Sequence, residues 1–175
     1  MAGVRVVTDS GADLPPDIQQ AHRIQVVPLT ISFGDKEFRD GVDLTPGQFY
    51  RKLREEPVMP RTTQPSPADF EKTYRPLLEA GYEIVSVHLS SQLSGTLQSA
   101  SLAAQNLGGS IYVVDSRSAS LGIGVLALEA ARWAEQGRPA REIAQDLQAA
   151  RERLTIFFSV DTLEYLQRNG RIGKA

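Results

Sequence analysis

Residues 82–105 read YEIVSVHLSSQLSGTLQSASLAAQ, and the architecture turns on how this stretch is taken. YEIVSVHL is apolar and rich in β-branched side chains, as a strand buried in a sheet requires. The SGTLQSASLAAQ that ends it has small and apolar residues at helical spacing. A strand that passes through a short hydroxyl-rich turn into a helix is the repeating unit of a parallel sheet. In such sheets ligands settle beyond the carboxyl ends of the strands. The turn itself admits two readings. Serine and threonine are favoured helix caps. Small residues here also leave the first-turn N–H groups open to a carboxylate or phosphate. Spacing alone favours the cap, and a cap and a ligand contact can coexist.

The same unit recurs on both sides of this stretch. VRVVTDS (4–10) and SIYVVDS (110–116) are strands that end in polar turns. ASLGIGVLALEAARWAEQG (119–137) is a long helix, apolar on most faces and therefore central. Its Gly122 and Gly124 lie mid-helix, where glycine serves close packing rather than a cofactor loop. Further helices are expected over 12–21 with Asp13 as N-cap, from Pro46 behind Thr45, from Pro67 to Gly81, and over 139–154. IQVVPLTISF (24–33) reads as one strand, with Pro28 marking an edge or a bulge. EEPVMPRTTQPSP (55–67) has four prolines in thirteen residues and is expected to be an irregular exposed loop. The fold class is α/β, a mostly parallel sheet with helices on both faces. IFFSV (156–160) reads as a strand and DTLEYLQRN (161–169) as a last helix, with no further element to pack against. The expected organisation is one α/β domain over 1–153 and the beginning of a second over 154–175.

Apolar residues make up 41% and charged residues 23% of the 175, ordinary globular usage that supports a packed core. The net charge is −2, from 19 basic and 21 acidic residues without a basic block, which argues against nucleic acid as a partner. There is no cysteine, so disulfides and thiolate metal sites are excluded. No window approaches the ~18 apolar residues of a membrane span, and MAGVRVVTDS lacks the apolar core of a signal peptide. A cytoplasmic protein, not embedded in a membrane, is expected.

Chemical motifs are sparse. No GxxxxGK[ST] occurs, and no GxGxxG follows the first strand. Asp9 closes that strand as a nucleophile or metal ligand would, but the second carboxylate such enzymes use two residues on is replaced by Gly11. His22 and His88 are far apart with no metal-ligand spacing, so no metal centre is expected. His88, inside a strand, reads as core or pocket wall. The GxSxG elbow of serine hydrolases is absent.

VTDSGADLP, FRDGVDLTPGQFY, TTQPSP, SSQLSGTLQSA, VVDSRSASLGIG and YLQRNGRI, in this order along the chain, resemble the DegV family of bacterial fatty-acid-binding proteins. The resemblance implies a DegV-like N-terminal domain that binds a long-chain fatty acid such as palmitate. The carrier itself would be non-catalytic and without a cofactor, and would present its ligand to a separate fatty acid kinase catalytic subunit. That kinase, with ATP and Mg²⁺, would make acyl-phosphate for phospholipid synthesis. Carried over by motif, the carboxylate ligands are Thr62 and Ser94, with Thr63, Gly95 and Thr96 beside them. Asp9, Ser10, Ser116 and Ser120, at the polar strand ends, are further pocket-lining candidates. The helices with Ala100, Ala103 and Ala104 and with Leu121 to Ala131 are candidate tunnel walls, or simply packed helices. TTQPSP has threonine where the family pattern TSQPS has serine. In QRNGRI the asparagine replaces a glycine of GGRI, and Asn169 is expected to take the left-handed conformation in its place. Family members continue into a second α/β domain beyond this point, so pairing of two copies is a further expectation. Two rival readings remain: an enzyme acting on a small phosphoester through Asp9, and an assembly module that binds nothing alone.

Overall fold

A computed structural model describes residues 3–172. Its centre is a four-stranded parallel sheet of order β2-β1-β6-β7, with β1 at Val4–Asp9, β2 at Gln25–Val27, β6 at Glu83–His88 and β7 at Ile111–Asp115. The alternation of the strands builds two cores. Val4, Val6, Val85 and Val87 face α5 (Leu121–Glu135) and α6 (Ala140–Arg151), meeting Ile123, Leu126, Ile143 and Leu147. Val7, Val27 and Ile84 face α3 (Pro67–Glu79) and α4 (Thr96–Leu107), meeting Phe70, Tyr74, Ala100 and Ala103. The chain thus forms the α/β sandwich that the repeated strand–turn–helix pattern requires.

The stretch 24–33 is two strands in two sheets. β2 ends at Val27, and β3 (Thr30–Phe33) joins a separate antiparallel sheet of order β4-β3-β5, with β4 at Lys36–Arg39 and β5 at Arg61–Thr63. Pro28, which lacks an N–H, falls at the switch between them. β5 corrects the expectation of an irregular loop: Thr62 pairs with Ile31 and Thr63 with Thr30. The small sheet packs its Ile31, Phe33 and Phe38 against Leu44 and against Phe49 of α2 (Pro46–Glu55).

Asp13 does not cap a helix. It ends a 3-10 turn, Ser10–Ala12, in the left-handed conformation at φ 50°, and α1 (Pro16–Ala21) starts behind Pro15 without a side-chain cap. Thr45 and Ser66 do form capping boxes, with Gln48 and Asp69, at the starts of α2 and α3. No strand forms over 156–160: Phe157 and Phe158 are 91% and 75% exposed, with no neighbouring edge to pair with among the described residues. α7 (Glu164–Arg168) is short, and Asn169 stays at φ −90° while Gly170 takes the positive φ of 69°.

Gly124 acts as a packing glycine. A Cβ there would stand 2.7 Å from the backbone carbonyl oxygen of Ala12 and 3.1 Å from Leu14. Since backbone cannot step aside, Gly124→Ala is expected to part α5 from the 3-10 turn and cost ~1–3 kcal/mol. A lowered urea midpoint checks this, with Gly47→Ala, which meets nothing within 4 Å, as the silent control.

Candidate functional site

An open cavity of about 820 Å³ lies beyond the carboxyl ends of β6 and β7, within the volume range of small-molecule sites. One lip is polar, formed by Thr62, Thr63 and Gln64 at the end of β5 and by Ser94 and Gly95 before α4. The walls are apolar: Leu29, Leu89, Leu93 and Ala119 from the domain, and Ile156, Phe158, Leu166 and Ile172 from the tail. Arg171 is the one charged side chain among the described residues lining the cavity, and its planar guanidinium offers five N–H donors.

Gln64 joins the two segments of the polar lip. Its Nε2 donates to Ser99 Oγ at 3.1 Å, and its carboxamide lies where a Cβ on Gly95 would be, 2.2 Å from Oε1. The missing side chain at Gly95 lets the β5 segment lie against the start of α4. Sequence reasoning did not single Gln64 out, although it stands inside TTQPSP. Only the close approach to Gly95 gives it a role.

Ser94 is not the helix cap. The N-cap is Gly95, with no side-chain capping bond. Ser94 Oγ accepts the Thr96 N–H at 3.2 Å and lies 2.9 Å from Thr96 Oγ1. Thr96 is fully buried, and its hydroxyl has no other hydrogen-bond partner among the described residues, so a satisfied hydroxyl there donates to Ser94. Ser94 then accepts twice and keeps its own hydrogen for the cavity. Thr62 and Thr63 are exposed and their hydroxyls make no side-chain hydrogen bond among the described residues.

The other candidates separate. Thr96 lies beneath Ser94 and does not line the cavity. Ser120 lines it, with its Oγ given to Asp13 Oδ2 at 2.6 Å. Ser116 is buried beside a smaller adjoining cleft, its Oγ accepting from Ser118 N at 3.1 Å. Ser10 and Asp9 back onto a different cleft. Ala100 and Ala103 are packed in the core on one face of the sheet, and Ile123 to Ala131 largely in the core on the other, so neither helix forms a tunnel wall along its length.

Asp9 belongs to a buried chain of polar groups that the sequence gives no sign of. Alternation sets Asp9, Ser86 and His88 on the α3 side of the sheet, where Tyr74 and Phe70 meet them. Tyr74 OH lies 2.7 Å from Ser86 Oγ, Ser86 Oγ 2.6 Å from His88 Nε2, and His88 Nδ1 2.9 Å from Asp9 Oδ2. Asp9 also accepts the N–H of Gly11 and of Leu89, each at 3.0 Å. With His88 as the Nδ1–H tautomer the donors run one way: Tyr74 to Ser86, Ser86 to His88 Nε2, and His88 Nδ1–H to Asp9. Burial raises the Tyr74 pKa, Ser86 partly opposing and the Asp9 charge adding to it, so the phenol stays protonated as the first donor. This has the connectivity of a serine-hydrolase triad, but every member is out of solvent and Ser86 is covered by Tyr74. It is a structural brace. Asp9, saturated by three donors, is not placed as a nucleophile.

The model of the DegV family, described as an uncharacterised protein family, matches residues 3–175. The chain belongs to the DegV family. A DegV domain-containing protein of Deinococcus radiodurans is 41% identical over 172 residues, 98% of this chain and 61% of the relative. A solved structure described as fatty acid binding of a DegV family protein from Thermus thermophilus is 42% identical with TM-score 0.89, covering 98% of this chain and 61% of that one. A solved structure described as a stearic-acid-binding protein from Eubacterium ventriosum is 32% identical with TM-score 0.85, covering 97% of this chain and 60% of that one. The chain therefore spans about three fifths of the length of the DegV proteins it matches. No described helix is long and apolar enough to cross a membrane.

Proposed function

We propose that this chain binds a long-chain fatty acid, with the carboxylate at Thr62, Thr63 and Ser94 and the acyl tail along the apolar walls. The observation that carries the reading is the union, in one cavity, of the Thr62, Thr63 and Ser94 hydroxyls on one lip, a single cationic side chain among the described lining residues and largely apolar walls. An anionic head with a long apolar tail matches all three. The relatives described as binding fatty acid and stearic acid support it. Each methylene removed from water contributes ~0.8 kcal/mol, so a sixteen-carbon tail supplies on the order of 10 kcal/mol before the entropic cost of binding. Hydroxyl contacts to the head add ~1–3 kcal/mol and fix its direction. Affinity then resides in the tail and orientation in the lip.

In the fuller form of this reading, the chain is a non-catalytic cytoplasmic carrier. A separate fatty acid kinase supplies the phosphoryl chemistry at the exposed carboxylate, making acyl-phosphate for phospholipid synthesis. Residues 1–153 form the lipid-binding domain and 154–175 open a further unit, in keeping with the exposed Phe157 and Phe158. Pairing of two copies would cover the same apolar side chains. An Asp9-centred phosphoester enzyme is disfavoured by the saturation and burial of that carboxylate. Native mass spectrometry of the purified chain with added palmitate is expected to show one fatty acid per chain. A chain that carries none and takes up no palmitate at micromolar concentration refutes the proposal.

A further inference from the structure

A second cleft of about 620 Å³ adjoins the first, and the two have no lining residue in common. Its lining is mixed: Leu14, Pro15, Ile24, Val26, Pro28 and Val42 form an apolar side, and Asp9, Asp13 and Asp40 contribute carboxylates. Between the clefts runs the 3-10 turn Ser10–Ala12 with Asp13 behind it. Both ends of this divider are tied to a wall of the larger cavity. Ser10 Oγ accepts the Leu29 N–H at 3.0 Å, and Ser120 Oγ donates to Asp13 Oδ2 at 2.6 Å. Ser10 and Asp13 line the smaller cleft, Leu29 and Ser120 the larger.

The second tie joins two residues in left-handed backbone. Asp13 has φ 50° and ψ 31°, which aspartate tolerates, whereas Ser120 has φ 51° and ψ −135°, a region disfavoured for any residue with a side chain. Ser120 also occupies the N-cap position of α5 without making the capping bond its type favours. Its hydroxyl goes to Asp13 instead. Such strain persists where neighbouring contacts over-determine it, and it is released when they are lost.

We propose that this divider, fastened at its Asp13 end by the Ser120–Asp13 hydrogen bond, sets the depth of the acyl cavity, and that the apolar side of the cleft behind it receives the distal methylenes of longer chains when that end is released. The inference rests on the fatty-acid reading above. Each further methylene that finds an apolar wall adds about fourfold in affinity, and one left in water adds nothing. A closed divider therefore flattens the gain from lengthening the chain.

Fluorescent-probe displacement by palmitate and by its twenty-carbon homologue, arachidate, tests this. Asp13→Gly and Ser120→Gly break this hydrogen bond from either side and suit the left-handed backbone. Asp13→Asn keeps an acceptor oxygen there. The parent and Asp13→Asn are expected to hold the two acids with similar affinity, and both glycine variants to favour arachidate roughly tenfold or more, as two or more newly buried methylenes give. An unchanged arachidate-to-palmitate ratio in both glycine variants, with palmitate still bound and the melting temperature retained, overturns the divider. Failure of the parent to bind either acid sinks the fatty-acid reading itself, and this inference with it.

Discussion

Asp9→Ala is expected to destabilise the domain by ~3–5 kcal/mol, the largest effect of any single change considered for this chain. The substitution removes the acceptor for three donors at once: the N–H groups of Gly11 and Leu89 and the Nδ1–H of His88. All lie where water cannot easily replace the carboxylate, and each orphaned donor carries a desolvation cost of ~1–3 kcal/mol, partly relieved by relaxation. The loss also spreads along the chain of bonds. Without Asp9, nothing fixes the His88 tautomer that accepts from Ser86, and the Ser86–Tyr74 link loses its direction. Ser86→Ala, which leaves the aspartate and its backbone donors intact, is expected to cost less, ~1–3 kcal/mol. Urea denaturation with an unchanged m value measures both, and a loss below about 1 kcal/mol for Asp9→Ala would show the brace to be dispensable.

The brace marks the limit of what the sequence discloses. The valines and isoleucines of β1, β6 and β7 alternate or run together as buried parallel strands must, α2 and α3 carry capping boxes, and Gly81 and Gly108 follow the ends of α3 and α4. The layered α/β fold was therefore legible from local pattern. The second sheet was not, because β3 and β4 are four residues each and β5 is three, too short to show a period. Within 24–33 the β-branched composition is continuous across Pro28, and composition does not record that the chain changes sheets there. The Asp9–His88 contact joins residues 79 apart, and no local signal announces such a partner. At the candidate site, Thr62 and Ser94 were reached through family resemblance. Local rules alone assign Ser94 to a cap, and the fold assigns the cap to Gly95. The apolar run 156–160 has strand composition without a strand to pair with, so propensity went unrealised.

Thr62→Val and Ser94→Ala are expected to weaken palmitate binding by roughly tenfold to a hundredfold each, and to differ in what else they do. Valine keeps the shape and β-branching that suit β5, and the Thr62 hydroxyl serves no intramolecular bond among the described residues. Its removal is therefore expected to leave the melting temperature unchanged. Ser94 is different, because among the described residues its oxygen is the only side-chain partner of the buried Thr96 hydroxyl. Ser94→Ala strands that group and is expected to cost ~1–3 kcal/mol of stability in addition to affinity. Thermal scans with and without palmitate separate the two quantities, and palmityl alcohol, which keeps the tail and lacks the carboxylate, isolates the head-group contribution. If the hydroxyls hold a carboxylate, the preference for acid over alcohol collapses in both variants. A preference that survives Thr62→Val, together with a Ser94→Ala variant that loses stability alone, would mean that these hydroxyls only shape the turn and that the acid group lies elsewhere. The tail supplies most of the binding energy, so affinity for a long acid can persist after its head is released. The acid-to-alcohol ratio, rather than affinity alone, is therefore the quantity that decides.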